Sequence, residues 1–175
     1  MMKDNSLQGD KAKETLAYRR ELIAKEKAAF SAVAETAILV FYVGEKQKYA
    51  MPYAAIDKVI AAQKITSIPG LSSLFSGLIY HNAEIWPVIN LKILLGCQQT
   101  DTANNLILLH EDKHQYALSI GAIVGQESFD ESMLQPGFSA EEEGTPSYIS
   151  GIYQTDIALL DINAIFKILH TTQIA

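Results

Sequence analysis

The spacing of hydrophobic positions along this chain changes near Glu35. Upstream, Asp10 to Ala34 contains no Gly or Pro and is crowded with Ala, Glu, Lys, Arg and Leu, all good helix formers. Leu16, Ile23 and Phe30 recur every seven residues, and Glu21 and Lys25 make a favourable i, i+4 pair. The pattern predicts an N-terminal α-helix within an extension over residues 1–36, carrying one thin apolar stripe. Such a stripe can dock on the rest of the protein or on another chain. It does not suit a membrane surface, because the polar face carries both signs of charge.

Downstream, runs of β-branched and aromatic residues take over. ILVFYV, the turn Gly44 to Lys48, and YAMPY read as a hairpin. A strand at Ile56 to Ile60, a short run at Ile65 to Ile68 and a Pro69-Gly70 turn follow, and then a helical turn over Leu71 to Phe75. Gly77 to Gly96, GLIYHNAEIWPVINLKILLG, holds two apolar runs separated by the polar turn His81 to Glu84, a second hairpin. Pro87 cannot donate to a ladder, so the second strand should lie at an edge or bulge there. Asn90 can cap a short helix carrying Leu91, Leu94 and Leu95, which Gly96 closes. Trp86 and Leu74 read as core, while the turn Tyr80 to Asn82 must sit at the surface.

Gln98 to Asn104 is a polar linker, after which the construction repeats. Laid without gaps, Tyr49-Ala50-Met51 meets Tyr116-Ala117-Leu118, Leu39 meets Leu106, Lys46 meets Lys113 and Ile56 meets Ile123. Further on, Gly77-Leu78 pairs with Gly151-Ile152 and Asn90-Leu91 with Asp161-Ile162, once three residues are dropped from the second turn. Sheets with exposed edges are unstable alone, so two curled β-subdomains sharing a core are expected. The fold class is all-β: two pseudo-repeats with helices at the edges.

Charge narrows the partners. Residues 1–30 hold seven Lys/Arg against five Asp/Glu, a net +2; residues 31–175 hold seven against fifteen, a net −8. Both arginines, Arg19 and Arg20, lie in the first segment. An acidic body without arginine cannot grip phosphate bidentately and repels a phosphate backbone, so nucleic acid is not an expected partner. Apolar residues make up 49% and charged ones 19%, a globular balance. No apolar run approaches the roughly 20 residues needed to cross a bilayer, so no membrane insertion is expected. No hydrophobic region follows the N-terminal charges, and the single Cys97 leaves no disulfide framework. A cytoplasmic location follows as the expectation.

Catalytic chemistry finds no local motif. His110 and His114 have a spacing that would suit a metal on a helix, but here they flank the Glu111-Asp112-Lys113 turn of a hairpin and read as surface residues. The Glu141 to Glu143 run lacks ligand spacing and reads as solvated loop charge. Cys97 sits beside a helix end, a poor place for a thiolate. No nucleophile elbow, phosphate loop or cysteine pair is present, so no catalytic residue, metal or cofactor is expected. What remains is apolar surface on rigid β elements, which suits a protein interface.

At this point the chain resembles the CheW-like adaptor domain of bacterial chemotaxis coupling proteins, over about Ile38 to Leu169. The family pattern G-[VL]-I-N-L-R-G-x-[IV]-[ILV]-P-V-[IV]-D-L is matched at Gly77, Leu78, Ile79, Ile85, Pro87, Val88, Ile89 and Leu91. ISGIYQTDIALLDINAIF near the end resembles the family's closing hairpin and helix. The departures are Tyr80-His81-Asn82-Ala83 in place of N-L-R-G, which sets Asn82 at the family arginine, and Asn90 in place of the later Asp.

The resemblance implies two intertwined SH3-like five-stranded β-barrel subdomains over residues 37–172, with short peripheral helices and no catalytic activity. It implies a scaffold linking a chemoreceptor cytoplasmic tip to the regulatory domain of a CheA-like histidine kinase. The expected partner-binding residues are Leu71, Phe75, Tyr80, His81, Asn82 and Ala83, with Asn82 altering the receptor contact. Two other readings stay open: an adaptor of a type IV pilus or other chemosensory-like pathway, and a β-barrel module binding a small molecule between its subdomains. Deleting residues 1–34 should leave the domain folded; loss of cooperative thermal melting in the shortened chain would instead place that segment in the core.

Overall fold

The computed structural model describes residues 37–44, 46–97, 103–111, 114–136 and 148–172. The helix predicted within 1–36 and the loop holding Glu141 to Glu143 lie outside the described residues. Among the described residues, eleven strands form two sheets. In chain order they are β1 (Ala37–Val43), β2 (Gln47–Pro52), β3 (Lys58–Ala61), β4 (Phe75–His81), β5 (Glu84–Asn90), β6 (Asn105–Glu111), β7 (His114–Ile120), β8 (Ile123–Ser128), β9 (Leu134–Pro136), β10 (Ile149–Tyr153) and β11 (Ile157–Leu160). Helix α1 (Leu91–Leu94) follows β5, and α2 (Ile162–Thr172) follows β11.

The repeat is real and its halves are exchanged. One sheet has the order β8-β1-β2-β11-β10-β9, the other β3-β6-β7-β5-β4. Thus β1–β2, from the first half, lies between strands of the second half, and β6–β7 lies between strands of the first. Equivalent parallel ladders join them: Leu159 opposite Ala50 in one sheet, Val88 opposite Ala117 in the other. Both Gly-led hairpins carry a register shift just before the glycine, between Phe75 and Gly77 and between Ile149 and Gly151. Asn90 and Asp161 cap the two helices alike, accepting from Ile93 N at 3.4 Å and Ala164 N at 3.0 Å.

Alternation sends each strand's side chains to two faces. Leu39, Phe41, Val43, Ile107, Leu109, Tyr116 and Leu118 enter one core shared by both sheets, closed by Ile165, Phe166 and Leu169 of α2. The opposite faces build two smaller cores. Ile38, Val40, Ala50, Tyr153 and Leu159 fill one, and Leu106, Leu108, Ala117, Ile79, Val88 and Trp86 fill the other. Each sheet curls around its own cluster, and chain segments bridge its edges. Thr66 exchanges backbone hydrogen bonds with Leu78 of β4, and β9 pairs with β10. That short β9 gives one sheet six strands where five were expected.

Three local expectations are corrected. Leu39 is equivalent to Ile107 and not to Leu106, since Leu39 and Ile107 share a core while Leu106 points the other way. The first hairpin loop spans Gly44 to Lys46, and the second has one residue fewer, so an ungapped alignment slips the strand by one. Strand β5 is interior, paired on both sides. Leu78 uses its backbone bonds on Thr66, so Pro87 opposite it needs no N–H toward β4; the β7 ladder begins only at Val88. Finally, Leu71 to Phe75 is a non-helical turn closed by Phe75 N donating to Ser72 O at 2.9 Å, and Phe75 already belongs to β4.

Gly77 makes the most exacting demand on residue type. Its φ is 139°, and a Cβ there would stand 2.3 Å from the Thr66 carbonyl oxygen. Gly77→Ala is expected to destabilise the domain by at least about 2 kcal/mol, through backbone strain and loss of the Thr66 bridge. Urea denaturation of the two proteins checks this, and an unchanged midpoint would refute it.

Candidate functional site

The β4–β5 hairpin departs from the repeat. In the second half the equivalent pair ends at Tyr153 opposite Ile157. The first half adds two rungs beyond the equivalent Ile79–Trp86 pair, Tyr80 opposite Ile85 and His81 opposite Glu84. Its loop is Asn82-Ala83, with φ of 50° and 67°. Two successive residues with positive φ fit the type I′ geometry that matches hairpin twist and favours Asn-Gly. Asn82 tolerates this conformation; Ala83 occupies it under strain.

The two added rungs place large apolar groups in solvent. Tyr80 is 69% exposed and Ile85, its cross-strand neighbour, 58%. Alternation explains the pair, because Ile79 and Trp86 point into the small core and so turn Tyr80 and Ile85 outward. Asn82 and Ala83 are exposed at the tip, and His81 is half-buried with Nε2 enclosed and without a hydrogen-bond partner. Leu71 is 41% exposed in the loop before β4. Phase along β4 separates Phe75 from this set, since it is half-buried against the shared core. Ile85 was not among the expected site residues; its position opposite Tyr80 was the available signal.

A polar network holds the hairpin to the sheet. Gln115 Nε2 on β7 donates to Ile85 O at 2.7 Å, standing in for a ladder bond before the β5–β7 pairing begins. His110 lies 3.2 Å from the Gln115 carbonyl oxygen through Nε2 and bonds the Asp57 carboxylate through Nδ1. Its ring stands edge-on to Trp86, centroids 4.7 Å apart. Trp86 and Leu74 are buried, as expected.

The other candidates separate. His110 and His114 face opposite sides of their sheet: His110 meets Trp86, while His114 stacks on His170 at 4.3 Å, with His170 Nε2 3.6 Å from Glu111. Among the described residues no group of His, Cys, Asp and Glu is placed to hold a metal ion. Cys97 lies 3.7 Å from the Tyr49 hydroxyl. Burial pushes the Tyr49 phenol well above the ordinary tyrosine range, with the Cys97 contact adding to it, and burial likewise raises Tyr148, which donates to Leu94 O. These groups are structural, tying α1 to the shared core. Between the sheets, a cleft of about 410 Å³ opens beside the start of α2. No described helix is long and apolar enough to cross a membrane.

Comparison with known proteins agrees with this architecture. The crystal structure of the scaffolding protein TtCheW from Thermoanaerobacter tengcongensis superposes with a TM-score of 0.65 at 20% sequence identity. The match covers 73% of this chain and 85% of that one, a likeness of fold. A search of curated proteins found no significant match. The sequence model of the CheW-like domain matches residues 37–170, three-quarters of the chain, and the protein therefore belongs to the CheW-like domain family.

Proposed function

We propose that the protein is a non-catalytic adaptor that couples a chemoreceptor cytoplasmic tip to the regulatory domain of a CheA-like histidine kinase. The β4–β5 tip is its receptor-facing surface. One observation carries the reading. The only large departure of the first Gly-led hairpin from the second is a two-rung extension that projects Tyr80 and Ile85 into solvent. The core needs neither side chain, and Gln115 holds the strand bearing Ile85 in place. Rigid, partly apolar hairpin tips make good anchors, since little conformational freedom is lost on docking. Leu71 extends the apolar surface on the loop that enters β4.

Asn82 sets the partner preference. It supplies neither a fixed charge nor the planar fork of the arginine in the family pattern, so an acidic receptor contact loses its charge-assisted pair.

Titration calorimetry with a kinase regulatory domain and with a receptor tip should show binding to each at tens of micromolar or tighter; binding to neither would end the adaptor reading. Asn82→Arg combined with Ala83→Gly should strengthen binding to an arginine-selecting receptor tip by about 1 to 3 kcal/mol. Equal affinities would show that the tip does not select the partner. Ala83→Gly alone should raise folding stability by about 1 kcal/mol by relieving the positive φ, and a denaturation curve no better than that of the parent would count against the strain.

A further inference from the structure

The hydrogen bonds behind the β4–β5 tip are complete in one protonation state. Ile85 O is a carbonyl and only accepts, so the Gln115 atom 2.7 Å from it is the amide NH2. That orientation turns a second acceptor, Gln115 Oε1, toward His110 Nε2 at 3.2 Å. The other ring nitrogen, Nδ1, meets a third acceptor, the Asp57 carboxylate. A neutral imidazole has one N–H and one lone pair, and only the imidazolium donates from both nitrogens. With Asp57 ionised, His110 therefore satisfies both neighbours only as the cation. The two bonds are unequal, because a carboxylate is the stronger acceptor. When one proton leaves, Nδ1–H stays with Asp57 and the bare Nε2 lone pair faces Gln115 Oε1. Two acceptors repel. Gln115 relieves this by turning its NH2 to the ring, and in doing so gives up Ile85 O.

We propose that His110 is a proton-operated latch on the tip: as the imidazolium it locks Gln115 onto Ile85 O, and loss of its Nε2 proton releases the Tyr80–Ile85 rung. Imidazole changes charge between about pH 5 and 8, so the tip is ordered at the acid end of that range and loosens at the alkaline end. Among the described residues, the other titratable or charged groups around the ring are accounted for. Lys58 on β3 stands opposite Leu108, and Glu84 on β5 stands opposite His81 on β4. Glu111 and Asp161 line the cleft that His110 also borders, but Glu111 faces His170 and Asp161 caps α2. Asp57 is the one that bonds the ring. By linkage, a partner that docks on the ordered tip takes up a proton and binds more weakly as pH rises. That consequence rests on the tip being the receptor-facing surface; the latch itself is read in the free protein and stands or falls without it.

Trp86 is the chain's one tryptophan and stands edge-on to His110, so its fluorescence, quenched by a neighbouring imidazolium, reports the proton. In the free full chain its emission should rise between about pH 5.5 and 8, in a step that is absent from His110→Leu. Over the same range the backbone ¹⁵N order parameters of Ala83 to Ile85 should fall from near the rigid value of about 0.85 toward 0.6. Asp57→Asn separates a latch from simple packing. Asparagine offers its oxygen to the imidazolium or its NH2 to the neutral ring, so Nε2–H reaches Gln115 in either state and the tip should stay ordered at both ends of the range. Order parameters in the native chain that do not change with pH would overturn the proposal, as would a disordered tip in Asp57→Asn at the alkaline end. A pH-dependent loss of order that survives His110→Leu would overturn it too, since another group, His81 first, would then carry the effect.

Discussion

Everything in this fold depends on the exchange of two hairpins between the halves of the chain. A two-stranded hairpin is marginal by itself. Here β1–β2 gains strands of the second half on both flanks and β6–β7 gains strands of the first, so neither half can complete a sheet without the other. The parallel ladders, β2 with β11 and β5 with β7, lie where the two halves meet. Side chains brace both. Lys48 Nζ bonds Asp156 at 2.8 Å, raising the lysine pKa, and the buried Ser119 hydroxyl donates to Ile89 O at 3.0 Å. The lysine pair is exposed and screened, whereas the serine bond satisfies a group that water cannot reach.

Exchange also dictates how hydrophobic residues are distributed. A sheet that curls on itself and also packs against a second sheet must be apolar on both faces, which is why β6 reads LILL and β1 reads AILVFYV without polar alternation. The three cores are the two small interiors and the single space between them. Helix α2 closes the shared core, placing Ile165 and Leu169 at 0% exposure. Its counterpart α1 is a single turn, and Tyr148 reaches across to bond Leu94 O at its end.

Much of this was legible in the residues, because the repeat carried it. Tyr-Ala-Met against Tyr-Ala-Leu fixed the second strand of each hairpin, and the capping pair Asn90 and Asp161 fixed the helices. Register within the first strands was not legible, since both faces of β1 and β6 are apolar and a one-residue slip leaves the pattern unchanged. Pro87 misled for a related reason: its missing N–H costs nothing in a strand whose second ladder starts one residue later. At the tip, Tyr80 was expected at the surface as part of a turn but is exposed as a strand residue of β4, and the same alternation, counted from the core residue Trp86, exposes Ile85. The Asp57–His110–Gln115 network joins the residue just before β3 to the β6–β7 hairpin, with 53 positions between Asp57 and His110, and leaves no local signature.

That network bears on how the tip can act. A hairpin extended beyond its sheet would ordinarily sway, and a swaying anchor loses much of its contact energy to ordering on binding. Here Gln115 fixes the carbonyl of Ile85, His110 meets the Gln115 amide oxygen, and Asp57 and Trp86 hold the His110 ring. The chain of contacts runs from the exposed Tyr80–Ile85 rung back to the buried core of the second sheet. Strain is confined to Ala83, at the outermost point, where the backbone can yield without disturbing the rung. The tip therefore divides into a rigid apolar platform and a loop free to change sequence. The family-pattern residues Gly77, Pro87 and Val88 belong to the part that builds the platform, while Asn82 and Ala83, which depart from the pattern, belong to the loop. Sequence change at the loop can thus occur without endangering the exchange on which the fold rests.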